Sequence, residues 1–107
     1  MTECNFYPDI NLLTCSFAER MDGERSTAAE KIIREKMEEI GRDSEEITGL
    51  KIAFDLADVN YVSSGFFRIC IALAKEVGRG NFSVINTSPF VSKIFKTSGL
   101  EQILNVS

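Results

Sequence analysis

Two adjacent serines, Ser63 and Ser64, follow the run Asp55-Leu56-Ala57-Asp58-Val59-Asn60-Tyr61-Val62 and precede Gly65 and a long apolar stretch. The pattern predicts the end of a buried strand, a short polar turn over the following residues, and a pair of serines opening a helix. A hydroxyl at a helix start lies beside backbone N–H groups that have no acceptor inside the helix, a setting that favours anions. Such a serine offers a site for modification or partner contact. Catalysis by a Ser-His-Asp triad or a Cys-His pair is excluded because the chain has no histidine, and so is any zinc site that needs imidazole. The three cysteines, Cys4, Cys15 and Cys70, are widely spaced and too few for a four-cysteine site. Cys15 and Cys70 sit among apolar neighbours and read as small core residues, and no disulfide scaffold is expected. Asp22, Asp55 and Asp58 lack the spacing of a metal loop or an acid–base pair. Gly78-Arg79-Gly80 reads as a turn, since no Walker-type lysine follows.

The elements that must position the serines follow from periodicity. Residues 3–7 and 11–17 read as strands separated by the turn signal Pro8-Asp9, with Leu13, Cys15 and Phe17 on one face. A loop with Asp22-Gly23 as its turn comes next. Ala28, Ala29, Ile32, Ile33, Met37 and Ile40 then recur at helical spacing over about Ser26 to Ile40, and Gly41 is placed as the C-terminal cap. Residues 42–49 read as a polar surface connection. Leu50, Ile52, Phe54 and Leu56 share one face of a strand, and apolar Ala53 on the other face makes that strand central. Phe66 to Ala74 is apolar nearly all round and predicts a largely buried helix that ends near Gly78. Phe82 to Ile85 is a short strand. Ser88-Pro89 opens a third helix with apolar Phe90, Val91, Ile94 and Phe95, closed by Gly99 with Leu100 behind it. Residues 103–106 predict a last strand. The reading is one α/β domain over residues 1–107. It has a mixed sheet of about four to five strands and about three helices, in the order β-β-α-β-α-β-α-β.

Composition narrows the partners. Of the 107 residues 44% are hydrophobic, enough for a real core. The net charge of −4 argues against direct contact with nucleic acid or an anionic membrane surface. No apolar run approaches the roughly 18 residues of a spanning helix. The acidic start Met1-Thr2-Glu3-Cys4 lacks a signal peptide's pattern, so a cytoplasmic location is expected.

The element order and two motifs resemble the STAS domain family, typified by bacterial anti-sigma factor antagonists. The family's hallmark is a strand ending in Asp-Leu, a turn, then Asp-Ser-Ser/Thr-Gly-Leu opening a helix. Asp55-Leu56 and Val62-Ser63-Ser64-Gly65-Phe66 are similar to it, and Asn86-Thr87-Ser88-Pro89-Phe90-Val91 with Phe95-Lys96-Thr97-Ser98-Gly99-Leu100 resembles the family's third helix. The resemblance spans roughly residues 12–106. The family's aspartate is Val62 here, its small residue after Gly-Leu is Phe67, and the chain ends where the family often adds a fourth helix.

The resemblance implies a transcription regulator without enzymatic activity or cofactor. By position, Ser63 is the serine that an anti-sigma factor acting as a serine kinase phosphorylates; ATP belongs to that kinase. The unmodified form binds the anti-sigma factor and frees the sigma factor, phosphorylation switches it off, and a serine phosphatase resets it. Contact is expected through the turn at 57–67, from Asp58, Asn60, Val62, Ser64, Gly65, Phe66 and Phe67, in a monomer or weak dimer. Of Phe66 and Phe67, which point about 100° apart on a helix, one is expected in the core and the other partly exposed. Two other readings follow from the same resemblance. One is a STAS subunit of a membrane transport complex, docked on its ATPase subunit, in which Ser63 is never phosphorylated. The other is a module that binds a small ligand or nucleotide.

Overall fold

The computed structural model describes residues 2–43 and 49–107. Four strands lie in the order β1-β2-β3-β4: β1 (Glu3–Tyr7), β2 (Leu12–Met21), β3 (Lys51–Val62) and β4 (Phe82–Ile85). β1 and β2 form an antiparallel hairpin across a 3-10 turn at Pro8–Ile10, where Asn11 takes the left-handed conformation (φ 52°). β2–β3 and β3–β4 are parallel, which makes the sheet mixed and β3 one of its two inner strands. The crossovers are α1 (Gly23–Asp43) and α2 (Ser64–Val77), and α3 (Pro89–Thr97) follows β4. Both crossovers step the same way along the sheet, so right-handedness puts α1 and α2 on the same face. Arg34 of α1 and Glu76 of α2 duly meet in a bidentate pair at 2.8 and 3.0 Å.

The core lies between that face and the helices. Leu13, Cys15 and Phe17 of β2, Ile52, Phe54 and Leu56 of β3, and Phe82 and Val84 of β4 all point into it, as strand alternation requires. α1 answers with Ser26, Ala29, Ile33, Met37 and Ile40, and α2 with Phe66, Ile69, Cys70, Leu73 and Ala74. On the sheet's other face Thr14, Ser16, Asp55 and Ser83 are polar and half-buried.

Several expectations change. β2 does not stop at residue 17. It continues to Met21, and α1 starts three residues before Ser26, capped by the Asp22 carboxylate, which accepts the Arg25 N–H at 2.9 Å. Gly41 lies inside α1 and is not its cap. Ala28 and exposed Ile32 stand one position beside the buried stripe, a rotation of about 100° that takes them out of the core. The connection expected over 42–49 falls largely on residues 44–48, outside the described residues. Phe90 is 60% exposed, because the buried spacing on α3 is Val91 and Phe95. The last strand is reduced to a single bridge, Val84 to Val106. Leu104 turns into the core, Asn105 is left-handed (φ 51°), and the backbone of 104–106 closes helical-type turns instead. The ending of α3 is as the sequence implies. Gly99 (φ 74°) donates to Lys96 and Leu100 donates to Phe95, the paired bonds of a Schellman cap.

The Arg34–Glu76 pair lies at the surface, with 39% and 44% of its side chains exposed. The bond to Glu76 holds the Arg34 guanidinium above its ordinary range against the opposing effect of burial, and Glu30 adds a lesser push in the same upward direction. Solvent screening still limits its worth. A double-mutant cycle of Arg34→Ala and Glu76→Ala in urea unfolding is expected to give a coupling no larger than about 1 kcal/mol, shrinking with added salt.

Candidate functional site

The stretch expected to be a polar turn is a strand. β3 runs on through Ala57, Asp58, Val59, Asn60 and Tyr61 to Val62, paired with β2 from Ala18 to Met21. Neither β1 nor β4 accompanies this part, so β2 and β3 leave the sheet as a two-stranded ribbon. Register shifts between Ser16 and Ala18 and between Glu19 and Arg20 interrupt the pairing, and Glu19 is left-handed (φ 61°). Such irregularities increase twist and re-aim side chains. Arg20 lies over the Tyr61 ring at 4.3 Å, and Arg25 reaches back to Glu19 at 3.3 Å.

At the ribbon's end four elements converge. Ser63 donates its N–H to the Met21 carbonyl at 3.0 Å, and the buried Ser26 hydroxyl donates to the same oxygen at 3.4 Å. Ser63 is extended (φ −101°, ψ 172°) and caps α2, its Oγ accepting the Phe66 N–H at 3.4 Å. α1 starts alongside: a methyl group on Gly65 would stand 3.4 Å from Gly23 Cα and 3.5 Å from Ser63 Oγ. Two helix N-termini therefore adjoin the Ser63 hydroxyl. The first N–H groups of α2, on Ser64 and Gly65, have no acceptor within their helix.

The predicted site residues separate into two groups. Asp58, Asn60 and Ser64 are exposed, and Ser63, Gly65 and Phe67 are half-buried. Val62 and Phe66 belong to the core at 2% and 0% exposure, so their side chains are removed from the contact surface. The ribbon's inward alternation claims Val62. Phe66 joins Phe17 and Phe54 at ring-centroid distances of 5.2 and 5.7 Å. The split between the paired phenylalanines is as expected, with Phe67 packed on Phe95 of α3 at 5.0 Å and still half-exposed. Asp55 is engaged structurally: it accepts the Ala57 N–H at 3.0 Å and the Asn86 side-chain amide at 3.2 Å.

The sequence reading missed a neighbouring groove of about 480 Å³ along α2, lined by Ser64, Phe67, Arg68, Ile71, Ala72 and Lys75. Its signal was present: 64, 67/68, 71 and 75 recur at helical spacing, apolar residues at 67, 71 and 72 flanked by Arg68 and Lys75. Read as largely buried, the helix keeps this apolar strip half-open beside the serines.

The fold is shared with solved proteins. An anti-sigma factor antagonist from Mycobacterium paratuberculosis superposes with a TM-score of 0.73 at 17% identity, over 99% of this chain and 83% of that one. The anti-sigma factor antagonist SpoIIAA, in its unphosphorylated form, gives a TM-score of 0.64 at 10% identity, over 90% of this chain and 82% of that one. This chain has the STAS fold. No protein-family model and no curated protein matches it. The likeness is thus carried by backbone arrangement, with side chains largely replaced. Among the described residues no helix is long and apolar enough to cross a membrane.

Proposed function

We propose that this protein is an anti-sigma factor antagonist: a non-catalytic, cytoplasmic regulator of transcription that binds an anti-sigma factor with serine-kinase activity. Phosphorylation of Ser63 ends the binding and a serine phosphatase restores it. The observation that carries this reading is the position of Ser63. Ser63 is half-buried, with its hydroxyl at a helix N-terminus, on a platform fixed by β2, β3, α1 and α2. A phosphate there brings about −1.5 to −2 charges. The domain itself tolerates that charge beside two helix N-termini. A partner seated on the same spot would bury an unpaired dianion, so binding is lost without unfolding. The contact surface on this reading is Asp58 and Asn60 of the ribbon, Ser64 and Gly65, and the strip of Phe67, Arg68 and Ile71 on α2.

One observation favours a second reading. The position at which the family's motif has an aspartate is occupied by Val62, and that side chain is in the core. A serine no kinase reads need not keep the acid, which fits a transport-complex subunit docked through the same surface on an ATPase subunit. Capture from the native cell extract with wild type and Ser63→Asp as baits, read by mass spectrometry, separates the two. A small kinase held by wild type and lost by Ser63→Asp supports the antagonist. The same transporter subunits on both baits would leave Ser63 as a structural cap and sink the switch.

A further inference from the structure

Cys4 and Cys15, eleven residues apart in sequence, lie directly opposite each other in the β1–β2 hairpin. Their sulfurs are 3.5 Å apart, both thiols are free, and both side chains face the core side of the sheet. Opposed residues of an antiparallel pair have Cα atoms about 4.5–5.5 Å apart, inside the roughly 4.4–6.8 Å that a disulfide spans. Rotation of the two side chains is then enough to join the sulfurs, with no movement of the strands. We propose that Cys4 and Cys15 form a two-electron redox site whose oxidant is a hydroperoxide and whose product is the intramolecular disulfide.

The surroundings assign the roles. Cys4 is half-buried at the sheet's edge strand, whereas Cys15 is fully enclosed. The Cys15 S–H beside it draws the Cys4 thiol below its ordinary range, and the charge of Lys36 on α1 acts the same way against the opposing effect of burial. The Cys15 thiol is pushed far up by its bond to Cys4 and by burial. Cys4 is therefore the attacking thiolate and Cys15 the resolving thiol. In the first step Cys4 Sγ attacks the terminal peroxide oxygen. The O–O bond breaks, the departing alkoxide takes a proton and leaves as alcohol (water, for hydrogen peroxide), and Cys4 becomes a sulfenic acid. In the second, Cys15 Sγ displaces the sulfenic hydroxyl, its own proton leaves with that hydroxyl as water, and the S–S bond forms. Two thiols and one hydroperoxide give one disulfide, one alcohol and one water. A dithiol reductant reverses the outcome.

The test uses the full chain with hydrogen peroxide, then alkylation after denaturation, cleavage before Asp9 and mass spectrometry. Asp9 separates the two cysteines, so a disulfide appears as two linked peptides lacking two hydrogen atoms, which dithiothreitol separates into two free-thiol peptides. Cys70, enclosed in the core, is expected to remain alkylatable throughout. In Cys15→Ser the Cys4 sulfenic acid should accumulate and be trapped by dimedone. That variant places a hydroxyl in the core, so half-buried Cys4→Ser serves as the second: Cys15 should then resist the same peroxide dose. Overoxidation of Cys4 without a link, linkage only between two copies of the chain, or equal oxidation of Cys15 in Cys4→Ser would each overturn the proposal.

Discussion

Phe54→Ala is expected to remove about 3–5 kcal/mol of stability, the range for emptying a buried aromatic site. Against a total of about 5–15 kcal/mol for a domain, that is a large share of what holds the fold. Three ring contacts support the figure. The Phe54 centroid lies 4.9 Å from Phe17 of β2, 5.0 Å from Phe82 of β4 and 5.7 Å from Phe66 of α2. One side chain on an inner strand thus ties two neighbouring strands and the helix that carries the serine site, and edge-to-face geometry adds to the area it buries. The cavity would be shared among stiff neighbours that are themselves fully enclosed, so collapse around it is limited. Urea unfolding measures the loss as a drop in midpoint with an unchanged slope. A loss under about 1 kcal/mol would mean that the rings do not form the central support described here. Because Phe66 is both a member of this cluster and the residue whose N–H Ser63 caps, the same substitution should also loosen the first turn of α2.

What could be read from the sequence depended on whether the signal was local. α3 was legible because its start and stop are written in adjacent residues, Ser88-Pro89 and Gly99-Leu100, each with its own backbone geometry. β4 was legible as a short apolar run between turn residues. The β2–β3 ribbon was not, since its register shifts break the two-residue period and Asp58 and Asn60 look like turn residues when they are solvated strand positions. Asp22-Gly23 has the composition of a loop turn and serves as a cap and first helical residue, a choice settled by the strand arriving at Met21. The serine position was legible from its motif, yet Val62 and Phe66 were assigned to a surface that only the ribbon's facing could exclude. The Cys4–Cys15 contact depends on hairpin register. The Pro8–Asn11 connection was a usable signal for it: pairing Tyr7 with Leu12 across that turn places Cys4 against Cys15.

At Ser63, stability and binding are expected to respond in opposite order to two substitutions. Aspartate is as good an N-cap as serine and its charge suits a helix N-terminus, so Ser63→Asp should change stability by no more than about 0.5 kcal/mol. Alanine cannot accept the Phe66 N–H, so Ser63→Ala should cost about 1 kcal/mol. Binding reverses the ranking. Alanine leaves the docking surface uncharged and should hold the partner within a few-fold of wild type. Aspartate places a carboxylate in the interface, and a charge buried there without a counterpart costs about 2–5 kcal/mol, a loss of about 30-fold to several thousand-fold in affinity. Calorimetric titration with the captured anti-sigma factor, beside urea unfolding of the same three proteins, reads both scales. If Ser63 were only a cap, both scales would fall together and alanine would be the worse variant on each. The crossed pattern, with aspartate stable but unable to bind and alanine weakened but competent, is therefore what distinguishes a charge-operated switch from a structural serine at the same position.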